Sequence, residues 1–103
     1  MRILSENEVN VALQDKYALV DFYADWCGPC KYVAPELEKA SAKINELGVN
    51  VYKVNVDDCN DFSMKNKISY IPTLILFADG TEKDRFVGVK DADGILEFVK
   101  KNV

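Results

Sequence analysis

The order of strand-like and helix-like patterns constrains the fold of this chain more than any other feature of its sequence. Two buried-looking strands, at Tyr17–Tyr23 and at residues 49–56, flank a long helical pattern of apolar residues that ends before Gly48. Gly48 has the position of a C-terminal helix cap. Pro35 lies inside the helical pattern, where we expect it to kink the helix or to end its first turn. Asp21 is the one charged residue in the otherwise apolar first strand.

The second half of the chain adds the remaining elements of a mixed sheet. The patterns predict a short helix at residues 60–67, strands at residues 73–78 and 81–87, and a helix at residues 91–101. Asp57-Asp58 is expected to cap the short helix, and Asp79-Gly80 is a typical two-residue hairpin turn between the two strands. An amphipathic pattern after Ser5 predicts another helix near the N-terminus. Strands that alternate with helices and end in a hairpin predict an α/β fold, with a mixed sheet covered on both faces.

Length and composition predict one domain that comprises residues 1–103. A chain of 103 residues has room for one hydrophobic core, and a hydrophobic content of 49% excludes intrinsic disorder. The 17 acidic and 13 basic residues give a net charge of −4 without a basic cluster, which argues against a nucleic-acid partner. The longest apolar run, at residues 71–78, is too short to span a membrane, so no membrane association is expected.

The complete absence of histidine narrows the possible chemistry. A Ser-His-Asp triad, a Cys-His protease pair and a histidine-ligated metal site are all excluded. The three cysteines cannot form a four-thiolate zinc site within one chain, and their odd number argues against a secreted disulfide scaffold. Any catalysis must therefore use thiols, carboxylates or amines. Because the cysteine count does not suit a secreted scaffold, we expect a cytoplasmic protein.

Cys27 and Cys30 form a C-x-x-C pair at the junction between the first strand and the long helix. At the start of a helix, two cysteines with this spacing can bring their sulfurs together across one turn. Free N–H groups and the positive end of the helix dipole favour the thiolate of Cys27, and a thiolate is the species that attacks disulfides. Half of a structural zinc site is the alternative, and a second chain would have to complete its ligands. The pair favours redox chemistry over metal binding.

The segment from Ala24 to Lys31, which contains both cysteines, resembles the active-site motif of the thioredoxin family. The resemblance extends over nearly the whole chain. Further residues that match the family pattern are Asp21, Pro35, Lys53, Ile71-Pro72-Thr73, Asp79-Gly80 and Gly88. The Gly28-Pro29 pair between the cysteines is similar to that of thioredoxins and differs from that of glutaredoxins and disulfide isomerases. This joint match is far more specific than a bare C-x-x-C pair.

The resemblance implies a thioredoxin fold, with a five-stranded mixed sheet flanked by about four helices, and the activity of a protein-disulfide reductase. Cys27 would attack a target disulfide, and Cys30 would resolve the resulting mixed disulfide. Asp21 would accept the proton of Cys30, and Lys53 would lie near that carboxylate. The alternatives are a solvated Asp21 and an ordinary strand lysine that faces water. The resemblance implies no dissociable cofactor and no metal.

The resemblance also implies a substrate groove beside the two cysteines. The residues expected to bind substrate are Trp26, Gly28, Pro29, Ile71, Pro72 and Gly88. Pro72 matches the cis-proline of the family, although a trans proline at a strand start is commoner for any lone proline. For Trp26 the alternative is a place in the core, and for Gly88 it is the simple end of a strand.

The implied partners are a thioredoxin reductase, which would re-reduce the cysteine pair, and target proteins that contain disulfides. The protein itself is expected to be a monomer. Two other classes of function stay open. The fold could be a non-enzymatic docking module, although the intact cysteines, Asp21 and Pro72 argue against this class. The dithiol could also bind a metal, with a dimer completing the site.

Two residues depart from the commonest family pattern. Tyr23 replaces a second tryptophan, a change expected to alter fluorescence more than function. Cys59 lies outside the motif, near the start of the short helix, and is expected to be a passive thiol rather than a regulatory oxidation site. The adjacent acids Asp57 and Asp58 should disfavour its thiolate.

Overall fold

The computed structural model describes residues 1–103, and the chain forms five strands and four helices. The strands are β1 (Arg2–Leu4), β2 (Tyr17–Tyr23), β3 (Asn50–Asn55), β4 (Thr73–Ala78) and β5 (Thr81–Val87). The helices are α1 (Asn10–Gln14), α2 (Gly28–Glu46), α3 (Asn60–Lys65) and α4 (Ala92–Lys100), and a short 3-10 turn (Glu6–Glu8) precedes α1. The expected α/β fold, a five-stranded mixed sheet with four helices, is confirmed.

The strand order β1-β3-β2-β4-β5 puts β2 at the centre of the sheet. Strands β1, β3 and β2 are parallel, whereas β4 runs antiparallel to β2, and β5 antiparallel to β4. In this register Asp21 lies opposite Lys53 of β3 on one side and opposite Leu74 of β4 on the other. The central strand therefore carries a carboxyl group into the middle of the molecule before the chain reaches Cys27.

Two apolar layers fill the space between the sheet and the helices. The layer beneath α2 and α4 consists of Leu19, Val33, Leu37, Ala40, Ile44, Val49, Val51, Leu74, Leu76, Ile95, Phe98 and Val99. The layer on the opposite face contains the neighbouring rings of Phe22, Phe62 and Phe77. Because side chains alternate between faces along a strand, Asp21 points to the same face as Leu19. Asp21 is thus directed toward α2.

Helix α2 continues through Pro35. It runs from Gly28 to Glu46, and Gly48 follows it with a positive φ of 84°. Proline has no N–H, so the helix lacks one backbone hydrogen bond at this point. Val33 and Leu37, on either side of the proline, are fully buried and hold the helix against the sheet. Of the two outcomes expected for Pro35, a kink or the end of the first turn, the second is therefore wrong.

The hairpin between β4 and β5 forms as expected. Asp79 and Gly80 have positive φ values of 51° and 81°, as a tight hairpin turn requires. A Cβ atom on Gly80 would lie 2.8 Å from the carbonyl oxygen of Leu13. Both the backbone conformation and this close approach therefore require glycine at position 80.

The start of α3 differs from the expectation. Its N-cap residue is Cys59, and neither Asp57 nor Asp58 caps it. The carboxylate of Glu6 instead accepts the backbone N–H groups of Asp61 and Phe62, at 2.8 and 3.3 Å. A residue from the beginning of the chain therefore satisfies the free donors of a helix in its second half.

Strand β1 is the one strand that the apolar patterns did not predict. Its three residues pair with β3 from Tyr52 to Val54, and only Leu4 among them is buried. A strand this short and this exposed has no periodic signal in the sequence. None of the four helices has both the length and the apolar character that a membrane span requires.

Candidate active site

The chain leaves β2 at Tyr23 and enters α2 at Gly28, and the two cysteines lie at this junction. Cys27 is the N-cap residue of α2, and Cys30 lies in the first turn. The two form a disulfide, with their Cα atoms 5.3 Å apart. The backbone N–H of Cys30 donates to Sγ of Cys27 at 3.2 Å. The two residues are only 4% and 5% exposed, so neighbouring groups cover most of the disulfide.

The first turn of α2 favours a negative charge on Cys27. It contains no acidic residue, and its free N–H groups and the helix dipole stabilise an anion at the N-cap position. The hydrogen bond from Cys30 to the sulfur strengthens when the acceptor becomes a thiolate. Pro29 lies in this turn, where its missing N–H removes no bond within the helix. In the reduced state, Cys27 is therefore the cysteine that the helix stabilises as a thiolate.

Asp21, on the strand that leads to this junction, is the one buried charged residue of the protein. It is 1% exposed, and its Oδ1 atom has no hydrogen-bond partner. Burial raises the pKa of Asp21 to about 6, and the positive charge of Lys53 opposes this rise. Near neutral pH, this carboxyl group can both hold and release a proton. The alternative of a solvated Asp21 is thereby excluded.

Lys53 lies beside Asp21 on the neighbouring strand β3. It is only partly exposed, and it forms none of the four salt bridges in the protein. Its Nζ atom lies 4.3 Å from the centre of the Tyr23 ring. The lysine therefore does not extend freely into water.

Trp26 lies on the surface directly before the disulfide. Its side chain is 70% exposed, which excludes the alternative of a core tryptophan. The indole N–H donates to Oδ2 of Asp57 at 2.8 Å. Asp57, which the sequence patterns assigned to a helix cap, thus orients the indole ring instead. Most of the ring is therefore open to solvent beside the cysteines.

The segment before β4 also lies next to the disulfide. The Ile71–Pro72 peptide bond is cis, as the family resemblance implied. Sγ of Cys27 lies 3.8 Å from the carbonyl oxygen of Ile71. Gly88, which has a φ of 99°, donates its N–H to the carbonyl oxygen of Pro72 at 2.8 Å. Gly88 therefore supports the proline loop from the adjacent strand end.

A small surface cavity lies between Trp26 and the proline loop. Its volume is about 150 Å³, and it is lined by Trp26, Val56, Ser63, Ile68, Ser69, Tyr70 and Ile71. Tyr70 is 74% exposed, so a large aromatic surface is open to solvent on this side. Sequence reasoning missed Tyr70, because an exposed aromatic residue in a loop has no motif or periodicity to mark it. The cavity and both exposed rings form a mainly apolar surface next to the disulfide.

The comparison with known families decides the identity of this fold. A family model described as thioredoxin matches residues 2–101. The chain belongs to the thioredoxin family.

Relatives of similar length support this assignment to the thioredoxins. The chain is 39% identical over 102 residues to a thioredoxin of Chlamydia caviae, a match that covers 99% of this chain and 98% of that protein. It is 47% identical over 79 residues to thioredoxin-1 of Saccharomyces cerevisiae, covering 77% and 75% of the two chains. The solved structure of Plasmodium falciparum thioredoxin matches with a TM-score of 0.90 and 28% identity, over 100% of both chains.

Thioredoxin family membership establishes the type of reaction. The protein is a thiol–disulfide oxidoreductase with a redox-active cysteine pair, and it acts as a protein-disulfide reductase. Membership implies two kinds of protein partner, a reductase and disulfide-containing targets. No group of three or more side chains that could hold a metal ion occurs in the structure.

The structure brings the expected thioredoxin site residues to one end of the sheet. The residues around the disulfide are Trp26, Gly28, Pro29, Ile71 and Pro72, with Gly88 behind the proline loop. Asp21 lies beneath on β2, and Lys53 lies opposite it on β3. Asp57 and Tyr70 are the contributors that the sequence did not reveal.

Proposed function

We propose that Cys27 and Cys30 reduce protein disulfides in two exchange steps. In the first step, the Cys27 thiolate attacks one sulfur of a target disulfide. A bond between Cys27 and the target forms, the target S–S bond breaks, and the second target sulfur leaves as a thiolate. In the second step, the Cys30 thiolate attacks the Cys27 sulfur, which forms the Cys27–Cys30 disulfide and releases the first target sulfur. Two electrons pass from the dithiol to the target.

One observation supports Cys27 as the nucleophile more than any other. Its sulfur lies at the N-terminus of α2 and accepts the N–H of Cys30 at 3.2 Å. A thiolate at this position gains a charge-assisted hydrogen bond and the favourable end of the helix dipole. Cys30, one turn further into the helix, lacks this stabilisation and suits the role of resolving cysteine.

Asp21 is the proposed proton acceptor for Cys30, with Lys53 as the charge that adjusts its acidity. Asp21 points toward the face covered by α2 and has an unpaired Oδ1 atom. A raised pKa of about 6 suits a group that takes a proton from a thiol near neutral pH. The proton goes to Asp21 when Cys30 becomes a thiolate, and it returns to solvent between turnovers.

The substrate chain is proposed to bind across Trp26, Gly28, Pro29, Ile71, Pro72 and Gly88. The apolar surface beside the disulfide can take side chains of the target, and Trp26 exposes most of its ring there. The backbone of Ile71 can pair with an extended segment of the target in the manner of an added strand. The carbonyl oxygen of Ile71 lies 3.8 Å from Sγ of Cys27, so such a segment would pass next to the reactive sulfur.

We further propose that the reductase partner is a thioredoxin reductase, and that residues 1–103 act as one monomeric domain in the cytoplasm. A dithiol that donates electrons and a third cysteine that stays reduced both suit a reducing compartment. No dissociable cofactor takes part in the proposed exchange, because thiols carry both electrons.

Matched serine variants test the two cysteine roles. Cys27→Ser should abolish dithiothreitol-coupled insulin reduction, because the attacking thiolate is gone. Cys30→Ser should instead accumulate covalent adducts with target proteins, because attack still occurs but resolution does not. Mass spectrometry of non-reduced samples locates the adduct. Adducts on Cys30 of the Cys27→Ser variant, with none on Cys27 of the Cys30→Ser variant, would reverse the assignment.

A further inference from the structure

Three side chains of β2 and β3 share one face of the sheet below the disulfide. Asp21 and Tyr23 are two residues apart on β2, so both point to the same face. Lys53 of β3 lies directly opposite Asp21 in the parallel register and points to that face as well. Tyr23 and Lys53 also line a surface cavity of about 160 Å³ next to Cys30. Asp21 lies beneath them and is almost fully buried.

The Tyr23 ring is the one side-chain partner that the structure gives to the charge of Lys53. The distance of 4.3 Å from Nζ to the ring centre is well inside the limit of about 6 Å for a cation–π contact. Lys53 forms no salt bridge, so its ammonium is more than 4 Å from every carboxylate oxygen, including those of Asp21. The ring therefore limits where this charge can lie.

We infer that Tyr23 is a positioning residue, whose ring holds the Lys53 ammonium where its charge stabilises the Asp21 carboxylate. This inference deepens the proposed function and rests on it where it concerns catalysis. Without the ring, the lysine can turn toward water, and the charge moves away from Asp21. Ionisation of the carboxyl group then costs more free energy. Proton transfer from Cys30 therefore requires a higher pH.

The other charged groups around the cavity do not replace Lys53 in this role. Lys31, from α2, lines the same cavity but is exposed and contacts no aromatic ring. Asp25, from the loop before α2, and Asp58, beyond the end of β3, are negative and would make ionisation of Asp21 less favourable. On β4, the residue opposite Asp21 is the uncharged Leu74.

Burial raises the pKa of Asp21, and the positive charge of Lys53 lowers it. Burial and the nearby acids Asp25, Asp21 and Asp58 raise the pKa of the Tyr23 hydroxyl, so the phenol stays neutral. The hydroxyl forms no hydrogen bond within the protein. The effect on Lys53 therefore comes from the face of the ring, and none of it comes from the hydroxyl.

A titration of the oxidised protein tests the inference directly. The Asp21 carboxyl carbon is followed by ¹³C NMR in the wild type and in the Tyr23→Leu and Tyr23→Phe variants. Tyr23→Leu, which removes the aromatic face, should raise the pKa of Asp21 by about half a pH unit or more. Tyr23→Phe, which keeps the face, should titrate as the wild type does. An unchanged pKa in Tyr23→Leu, or an equal shift in both variants, would overturn the inference.

The same substitution in a Lys53→Gln background separates positioning of the lysine from a change in the burial of Asp21. Lys53→Gln alone should raise the pKa of Asp21 at least as far as Tyr23→Leu does, because the charge itself is absent. Adding Tyr23→Leu to Lys53→Gln should then produce no further rise. A further rise would show that the ring acts through desolvation of Asp21, which overturns the inference. If Tyr23→Leu folds poorly, Tyr23→Met, which also lacks an aromatic face, replaces it in both backgrounds with the same expected results.

The catalytic consequence is measured separately. The rate of insulin reduction by Tyr23→Leu should have its acidic limb moved to higher pH, and Tyr23→Phe should restore the wild-type profile. Asp21→Asn separates the catalytic role of Asp21 from the role of Tyr23 in positioning Lys53. If Asp21→Asn keeps the wild-type pH profile, the proposed proton acceptor is wrong, while the NMR titration still decides whether Tyr23 positions Lys53.

Discussion

Two helices of this protein begin directly after a cysteine, and the two cysteines have opposite surroundings. Cys27 and Cys59 are the N-cap residues of α2 and α3, and both are buried. At α2 the sulfur of Cys27 receives a backbone N–H at 3.2 Å. At α3 the first N–H groups bind the carboxylate of Glu6, and Sγ of Cys59 lies 3.5 Å from the carbonyl oxygen of Leu4. In this protein, a helix start therefore favours a thiolate only where the sulfur accepts the free backbone N–H groups of the helix.

The charges around the two helix starts strengthen this difference. The first turn of α2 contains no acidic residue, whereas that of α3 contains Asp61. Burial raises the pKa of Cys59, and the negative charges of Glu6 and Asp58 raise it further. A sulfur next to a carbonyl oxygen and near carboxylates stays protonated. The surroundings of Cys59 thus support the expectation of a passive thiol.

The two carboxyl groups beside these helices differ in the same way. The Glu6 carboxylate is hydrogen-bonded to two backbone N–H groups and is partly exposed. Asp21 is buried with an unpaired oxygen. The first arrangement stabilises the helix that it caps, and the second costs stability but leaves a group free to exchange a proton.

The largest expected effect is on folding stability at Asp21. The pKa of about 6 in the folded protein lies well above the ordinary aspartate pKa of 3.8. As pH rises from roughly 4 to 6, the unfolded chain ionises while the folded protein keeps the proton, so stability falls. Above this range the penalty is constant, at about 3 kcal/mol. Asp21→Asn should therefore stabilise the oxidised protein by about 3 kcal/mol at alkaline pH.

Denaturant unfolding at two pH values checks this prediction. The stability gained in Asp21→Asn should be large near pH 8 and should largely disappear near pH 4, where the wild-type carboxyl group is protonated. Asp61→Asn is a suitable control, because this aspartate is exposed on α3. An equal gain for Asp21→Asn at both pH values would contradict the explanation by ionisation.

The sequence allowed most of the sheet to be predicted, because its signals are local. The apolar stretch Tyr17–Tyr23 and the Asp79-Gly80 turn each carry their own pattern, and the cysteine spacing marks the redox site. Contacts between distant residues could not be predicted in this way. Glu6 caps a helix that lies 55 residues further along the chain. No local pattern distinguishes this carboxylate from a solvated one, and the sequence therefore favours a cap by the nearer Asp57-Asp58.

The same distinction applies within the active site. Asp21 can be identified as a charge in an apolar strand, and the family resemblance implies the proton-acceptor role that is proposed for it. The contact of Lys53 with the Tyr23 ring depends on the pairing of β2 with β3, and the bond from Trp26 to Asp57 joins residues 31 positions apart. These contacts arise from tertiary packing, which single-sequence patterns do not encode.

A smaller effect is expected at the cap of α3. Glu6→Gln keeps an oxygen acceptor but removes the negative charge at the helix start, which should destabilise the protein by roughly 0.5–1 kcal/mol. It should also lower the pKa of Cys59, because one of the charges that raise it is gone. Iodoacetamide labelling of the oxidised protein, in which only Cys59 is free, should become faster.

Glu38→Gln is the matched control for this experiment. Glu38 is an exposed glutamate of α2 whose side chain forms no salt bridge and no hydrogen bond, so both stability and labelling rate should stay at wild-type values. Labelling of Glu6→Gln at the wild-type rate would show that burial alone protects Cys59. The carboxylate would then serve α3 without affecting the thiol.

The smallest effect is expected when Cys59 itself is replaced. Cys59→Ser puts a hydroxyl where the sulfur lies, and this hydroxyl can donate to the carbonyl oxygen of Leu4 as the thiol does at 3.5 Å. Because Cys59 is fully buried and remote in sequence from the Cys27–Cys30 pair, insulin reduction should stay within about twofold of wild type, under ~0.5 kcal/mol in the barrier. Peroxide treatment should affect both proteins equally. If peroxide inactivates or dimerises the wild type but spares Cys59→Ser, then Cys59 is a regulatory oxidation site, and the contrast between the two helix starts fails.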